Sequence, residues 1–112
     1  MTQAELKQVL DSSGIPFCYF AWPKGKAPPL PWGVFLRDHT NNFGADETAY
    51  QRVDHYQVEL YTKHRDSAAE EKVEAALIGA ELFFNSEQIY LPSESCFETI
   101  YELEVLHESG RS

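Results

Sequence analysis

Four histidines and two aspartates are the first residues to examine for chemistry: His39, His55, His64 and His107, with Asp38 directly before His39 and Asp54 directly before His55. Imidazole is the commonest transition-metal ligand and a proton carrier near neutral pH. The spacing fits no zinc pattern, because His55 and His64 are separated by most of a strand and a turn. Solvated surface histidine is therefore the reading, with no metal site. Asp38-His39 and Asp54-His55 would meet as an acid-base set only if their strands were neighbours, and that set comes with no nucleophile and no substrate pocket. No catalytic residue and no cofactor are expected. Cys18 and Cys96 lie far apart in sequence, and the chain begins MTQAELKQVL, a helix pattern rather than the basic-then-apolar layout of a secretion signal. They read as reduced thiols near the core of a cytosolic protein.

The elements that must carry these residues belong to one small domain. A chain of 112 residues, 43% hydrophobic and 24% charged, suits a single core spanning 1–112, with 107–112 expected to fray. No run approaches the roughly eighteen apolar residues of a membrane span. Formal net charge is −9, and the excess is uneven: residues 1–66 carry 8 acidic and 7 basic side chains, residues 67–112 carry 10 and 2. A tightly held nucleic acid needs a clustered basic surface, and none is written here.

A helix is predicted over Gln3–Ser12, with Thr2 and Glu5 at capping-box spacing, Leu6, Val9 and Leu10 on one stripe, and Gly14 as the stop. A short strand follows over Phe17–Ala21, then a proline-stiffened connection over Pro23–Pro31. Trp32–Asp38 and Tyr50–Thr62 read as strands; in the second, Tyr56, Val58 and Leu60 face one way and His55, Gln57, Glu59 and Tyr61 the other. Between them lies a predicted long loop, His39–Thr48. Asp66 and Ser67 precede a second helix over Ala68–Ile78, Ser67 and Glu70 repeating the capping-box spacing, with Ala69, Val73, Ala76 and Leu77 as its apolar stripe. A further strand pair begins at Leu82–Phe84, with Asn85-Ser86 and Pro92-Ser93 as breaks. In the last strand Phe97, Thr99, Tyr101, Leu103 and Val105 oppose Glu98, Ile100, Glu102 and Glu104. The fold class is α+β: a mixed or antiparallel sheet of four to five strands, two helices on one face, and a long loop between two strands.

Two features invite a surface role. Asn41, Asn42, Gly44 and Asp46 tolerate tight turns, so their loop can fold back compactly around Phe43. Two readings of that ring stand: it tucks under its own loop against the core, or it projects into a neighbouring subunit. The glutamates Glu70, Glu71 and Glu74 on the exposed face of the helix, and Glu98, Glu102 and Glu104 on the last strand, either are ordinary solvated faces or line a surface past which another polyanion moves.

LPWGVFLRD, NNFGAD, YQVELYTK, RDSAAEEKVEAAL and FETIYELEV, taken together from Ile15 to Val105, resemble the tail terminator and tail-completion, or head-tail joining, proteins of long-tailed bacteriophages and prophages. The resemblance implies a structural protein without catalytic motif, acting in the virion tail or neck after assembly in the host cytoplasm. It implies a homo-oligomer, commonly a hexameric ring, at the head-proximal end of the tail tube. The ring ends tube polymerisation and docks the head connector, and DNA passes through its channel without specific binding. A closed ring needs a heterologous contact, which the loop Asn41, Asn42, Phe43, Gly44 and Asp46 would supply. Another neck component, such as a head-closure protein, shares this description. An acidic inhibitor that mimics DNA is the alternative from a different class.

Overall fold

The computed structural model describes residues 1–45 and 49–107; for 41–45, 49–51 and 107 it describes the course of the backbone alone. The elements run α1 (Gln3–Asp11), β1 (Phe17–Tyr19), β2 (Trp32–Ala45), β3 (Ala49–Thr62), α2 (Ser67–Gly79), β4 (Phe84–Leu91) and β5 (Cys96–His107). Five strands form one sheet in the order β1-β2-β3-β5-β4. β1 pairs parallel with β2, and every other neighbouring pair is antiparallel. This is the expected α+β class with a mixed sheet.

Local chemistry sets both helices. At α1 the capping box is complete: Glu5 N donates to Thr2 Oγ1 (3.1 Å) and Thr2 N donates to Glu5 Oε1 (2.8 Å). At α2 the cap is Asp66 rather than Ser67. Its carboxylate accepts from Ala69 N at 3.1 Å, and Ser67 is already helical. An ionised acceptor at that position also meets the positive end of the helix dipole, which a serine hydroxyl does less well.

Leu6 and Leu10 of α1 and Ala69, Val73 and Leu77 of α2 are buried in one cluster with Phe35, Tyr56, Val58, Leu60, Tyr101, Leu103 and Val105. These sheet residues share one side of the ladder: Phe35 pairs with Val58, Val58 with Tyr101, and Tyr56 with Leu103. Both helices therefore cover one face. Phe17 of β1 pairs with Gly33, where a Cβ would fall onto the Phe17 ring and lie 2.7 Å from the Glu59 carbonyl oxygen. Glycine is needed there for packing, since its φ is ordinary.

Two sequence expectations give way. The predicted loop His39–Thr48 is largely strand. β2 continues to Ala45 and β3 begins at Ala49, pairing through Asn42↔Arg52, Phe43↔Gln51 and Ala45↔Ala49. Asn and Gly are poor strand formers alone, and the cross-strand ladder outweighs their preference. Likewise Asn85 and Ser86 lie inside β4, paired with Glu102 and Tyr101, rather than breaking it.

The irregularity that matters is a bulge between Arg37 and His39. Arg37 pairs with Tyr56 and His39 with His55, so two steps on β2 match one on β3 and Asp38 is the extra residue. Arg37 and His39 consequently sit on opposite faces, and Thr40 returns to the helix-covered side. There its hydroxyl donates to Asp54 Oδ1 at 2.7 Å, and Arg52 Nε donates to the same oxygen at 3.1 Å. Asp54 is 1% exposed, a buried carboxylate held by donors on both strands.

Candidate functional site

The β2–β3 hairpin outruns the sheet. β5 accompanies β3 only as far as Arg52↔His107, and β1 pairs only with Gly33–Phe35 of β2. Beyond Arg52 the ladder consists of β2 and β3 alone, reaching Ala45↔Ala49. At about 3.4 Å per residue, this two-stranded arm extends roughly 10 Å past the last β5 pairing. The molecule measures 51 × 28 × 23 Å. Asn41, Asn42, Phe43 and Gly44 are all part of the ladder, so their backbone is extended rather than folded back on itself as the turn-prone sequence suggested. Asp46 lies outside the described residues.

The six glutamates divide. On α2, Glu71 is exposed, whereas Glu70 and Glu74 are half-buried and turned toward the sheet. Gln88 Nε2 donates to Glu70 Oε2 at 2.8 Å, and the hydroxyl of fully buried Tyr101 donates to Glu74 Oε2 at 3.0 Å. Burial, then the hydrogen bond to Glu74, pushes the Tyr101 phenol far above its ordinary range. The expectation that all three crowd a solvated face holds for Glu71 alone. The i, i+4 spacing that put Glu70 and Glu74 together also aims them at the sheet edge.

On β5, Glu98, Glu102 and Glu104 occupy the face away from the helices. Glu102 and Glu104 are exposed, but Glu98 is only 8% exposed. The Tyr61 hydroxyl lies 3.1 Å from both Glu98 Oε2 and Glu59 Oε1. Burial, then the neighbouring Glu59 charge, raises the Glu98 carboxyl above the usual carboxylate range. The α2 and β5 carboxylates thus lie on opposite sides of the sheet and do not form one surface.

The aspartate-histidine pairs are brought together only in part. β2 and β3 are neighbours, and the His39 and His55 rings stack with centroids 4.1 Å apart and 13° between planes. Asp38 Oδ2 meets His39 Nδ1 at 3.0 Å, and Glu104 Oε2 lies 3.9 Å from His55 Nδ1. Asp54 is on the other face, committed to Thr40 and Arg52, so Asp54 and His55 form no dyad. A cleft of about 420 Å³ borders Asp38, His39, His55, Asn85, Glu102 and Glu104. It offers imidazole and carboxylate groups, and among the described residues neither serine nor cysteine lines it. Among the described residues no group of three or more His, Cys, Asp or Glu is arranged to hold a metal ion.

Sequence reasoning passed over an aromatic cluster at the other end of the open face. Trp22 and Trp32 meet edge to face at 6.2 Å, and Trp32 lies against Tyr61 at 4.8 Å. Trp22 Nε1 donates to Gly33 O at 3.2 Å, which pins the Pro-rich connection over β2. The alternation in β3 signals that Glu59 and Tyr61 share a face; the arrival of Glu98 beside them requires knowing that β5 lies next to β3. Cys18 and Cys96 are free thiols, with Cys96 buried. Among the described residues no helix is long and apolar enough to cross a membrane.

No protein-family model matches the chain, and no curated protein sequence matches it. Among solved structures, a chain described as "Virion of native gene transfer agent (GTA) particle" has the same fold, with a TM-score of 0.58 over 88% of this chain and 84% of that one, at 14% identity.

Proposed function

We propose that the protein is a structural component of a phage-type particle that forms a ring at the head-proximal end of a tail tube. In this reading it ends tube polymerisation and presents the docking surface for the head connector. The observation that carries it is the two-stranded arm beyond Arg52, whose backbone ladder continues past the last pairing with β5. A ring of identical subunits closes through a heterologous contact, and a projecting hairpin received by the next copy is one way to build it. Asn41, Asn42, Phe43, Gly44 and Asp46 are the residues assigned to that contact. The likeness to a chain from a gene transfer agent virion supports the coarser part of this reading, a structural part of a phage-type particle, and the position at the tube end rests on the sequence resemblance to tail terminators.

In such a ring DNA passes through a channel, and a net charge of −9 favours a lining to which it does not adhere. Because the α2 and β5 carboxylates lie on opposite sides of the sheet, at most one of the two sets lines the channel in this reading. Charge reversal at Glu71, compared with charge reversal at Glu102 and Glu104, identifies the set that matters by its effect on particle filling.

Phe43→Ala tests the contact. If Phe43 acts at the contact between subunits, the variant should keep its thermal midpoint to within about 2 °C, whereas a phenyl ring packed in the core would lower it by much more. The variant should fail to form the rings that the unaltered protein makes on purified tail tubes in negative-stain micrographs. Rings of normal number from the variant, or a protein that never caps tubes at all, would remove this reading. Capping of connectors but not of tubes would assign it to another neck position instead.

A further inference from the structure

The open face carries a second feature, which stands independently of ring formation. Trp22, Trp32 and Tyr61 wall a cleft of about 330 Å³ whose lining includes Glu59 and the connection Phe20–Gly25. Glu98 lies against this wall through the Tyr61 hydroxyl. Glu59 and Glu98 together present four oxygens; the Tyr61 hydroxyl supplies one hydrogen, and Glu98, which burial and the Glu59 charge shift toward its protonated form, is itself hydrogen-bonded to Glu59, so the acceptor oxygens left to the cleft are those of Glu59. Among the described residues neither Glu59 nor Glu98 has an ion-pair partner; the pairs formed are Lys7 with Asp11, Asp38 with His39, Arg52 with Asp54 and His55 with Glu104. Lys24, at the rim, pairs with neither. The cleft therefore combines aromatic walls with acceptor oxygens on the half-buried Glu59, backed by Glu98 through the Tyr61 hydroxyl.

That combination is complementary to a planar cation. A guanidinium stacks on indole and phenol faces and brings five N–H donors in a fork that fits carboxylates. We propose that the Trp22–Trp32–Tyr61 cleft, with the Glu59 carboxylate on its wall, is a docking site for an arginine side chain presented by a basic segment of a partner protein. A second copy of this chain is a poor source, because its 9 Lys and Arg residues are spread along 112 positions with no two adjacent and so form no basic segment. An ammonium fits the charge but neither the fork nor the stacking, so arginine should be preferred to lysine.

Trp22 and Trp32 are the only two tryptophans, so intrinsic fluorescence reports on this cleft without labelling. The experiment titrates acetyl-Gly-Arg-Gly-amide, and its Lys and Leu counterparts, into the full chain. The arginine peptide should give a saturable change with a Kd on the order of 1 mM, as befits one anchoring side chain. The lysine peptide should bind at least threefold more weakly, and the leucine peptide should give no saturable change. Glu59→Gln, checked by circular dichroism, should weaken the arginine peptide at least fivefold; high salt should do so in the unaltered chain, which keeps the test available if the variant does not fold. An equal response to the leucine peptide, arginine binding indifferent to Glu59→Gln and to salt, or no saturable change would overturn the proposal. Tryptophan fluorescence that varies with the protein's own concentration would overturn the partner as source in favour of a second copy.

Discussion

The two faces of the sheet use the same device for different ends. On the helix-covered side, the Tyr101 hydroxyl donates to a single carboxylate, Glu74, from within a core closed by α1 and α2. On the open side, the Tyr61 hydroxyl is shared between Glu59 and Glu98, with aromatic rings in place of a helix. One donor to one acceptor completes a structural contact. One donor to two acceptors leaves binding capacity. The difference teaches that the open face is the side on which to look for partners, whereas the covered face accounts for stability.

The largest expected effect tests that division. Phe35→Ala, 1% exposed beneath the helices, should cost about 4 kcal/mol in denaturant unfolding. Ile100→Ala, half-buried on the open face, should cost about 1 kcal/mol or less. Comparable losses at the two sites would break the comparison.

A smaller effect concerns the tyrosines. Tyr101→Phe keeps the ring in the core and removes only the donor to Glu74, so a loss of about 1 kcal/mol is expected by urea unfolding. No measurable loss would mean that water replaces the hydroxyl at Glu74 without penalty, and the covered face would then resemble the open one.

The smallest effect is a dependence on pH. The folded protein raises the Glu98 carboxyl, through burial and then through Glu59, so the fold prefers the protonated form. The stability this confers is complete below the ordinary carboxylate range and is lost as pH rises through the raised value. Glutamine mimics the neutral acid. Glu98→Gln should therefore raise the thermal midpoint at pH 7 and leave it unchanged near pH 4, as followed by circular dichroism. A rise of equal size at both pH values would show that charge at Glu98 is not the cause.

Much of the scaffold was legible because its signals are local. Thr2 with Glu5, the stripes Leu6-Leu10 and Ala69-Val73-Leu77, and the strict alternation of β5 each follow from neighbours a few residues away. In sequence the arm resembles a loop because Asn41, Asn42 and Gly44 carry turn preferences that a partner strand overrides. The site on the open face was illegible for a different reason. Glu59 and Glu98 are 39 positions apart, and they meet only because β5 inserts between β3 and β4, an order that no local pattern encodes. The splitting of the α2 glutamates between solvent and sheet was hidden similarly, since it depends on where Gln88 and Tyr101 arrive.

The bulge at Asp38 works as a phase shifter. One surplus residue reverses the parity of β2, sending Thr40 inward to Asp54 and His39 outward over His55. Removing that single residue would make Arg37 and His39 direct neighbours on opposite faces, so the pairs His39↔His55 and Thr40↔Asp54 would be kept and the ladder made regular. Changes of length at paired positions of this hairpin are thus tolerable in matched sets across both strands, whereas the surplus position at Asp38 can be lost without a matching change on β3 and without inverting the arm.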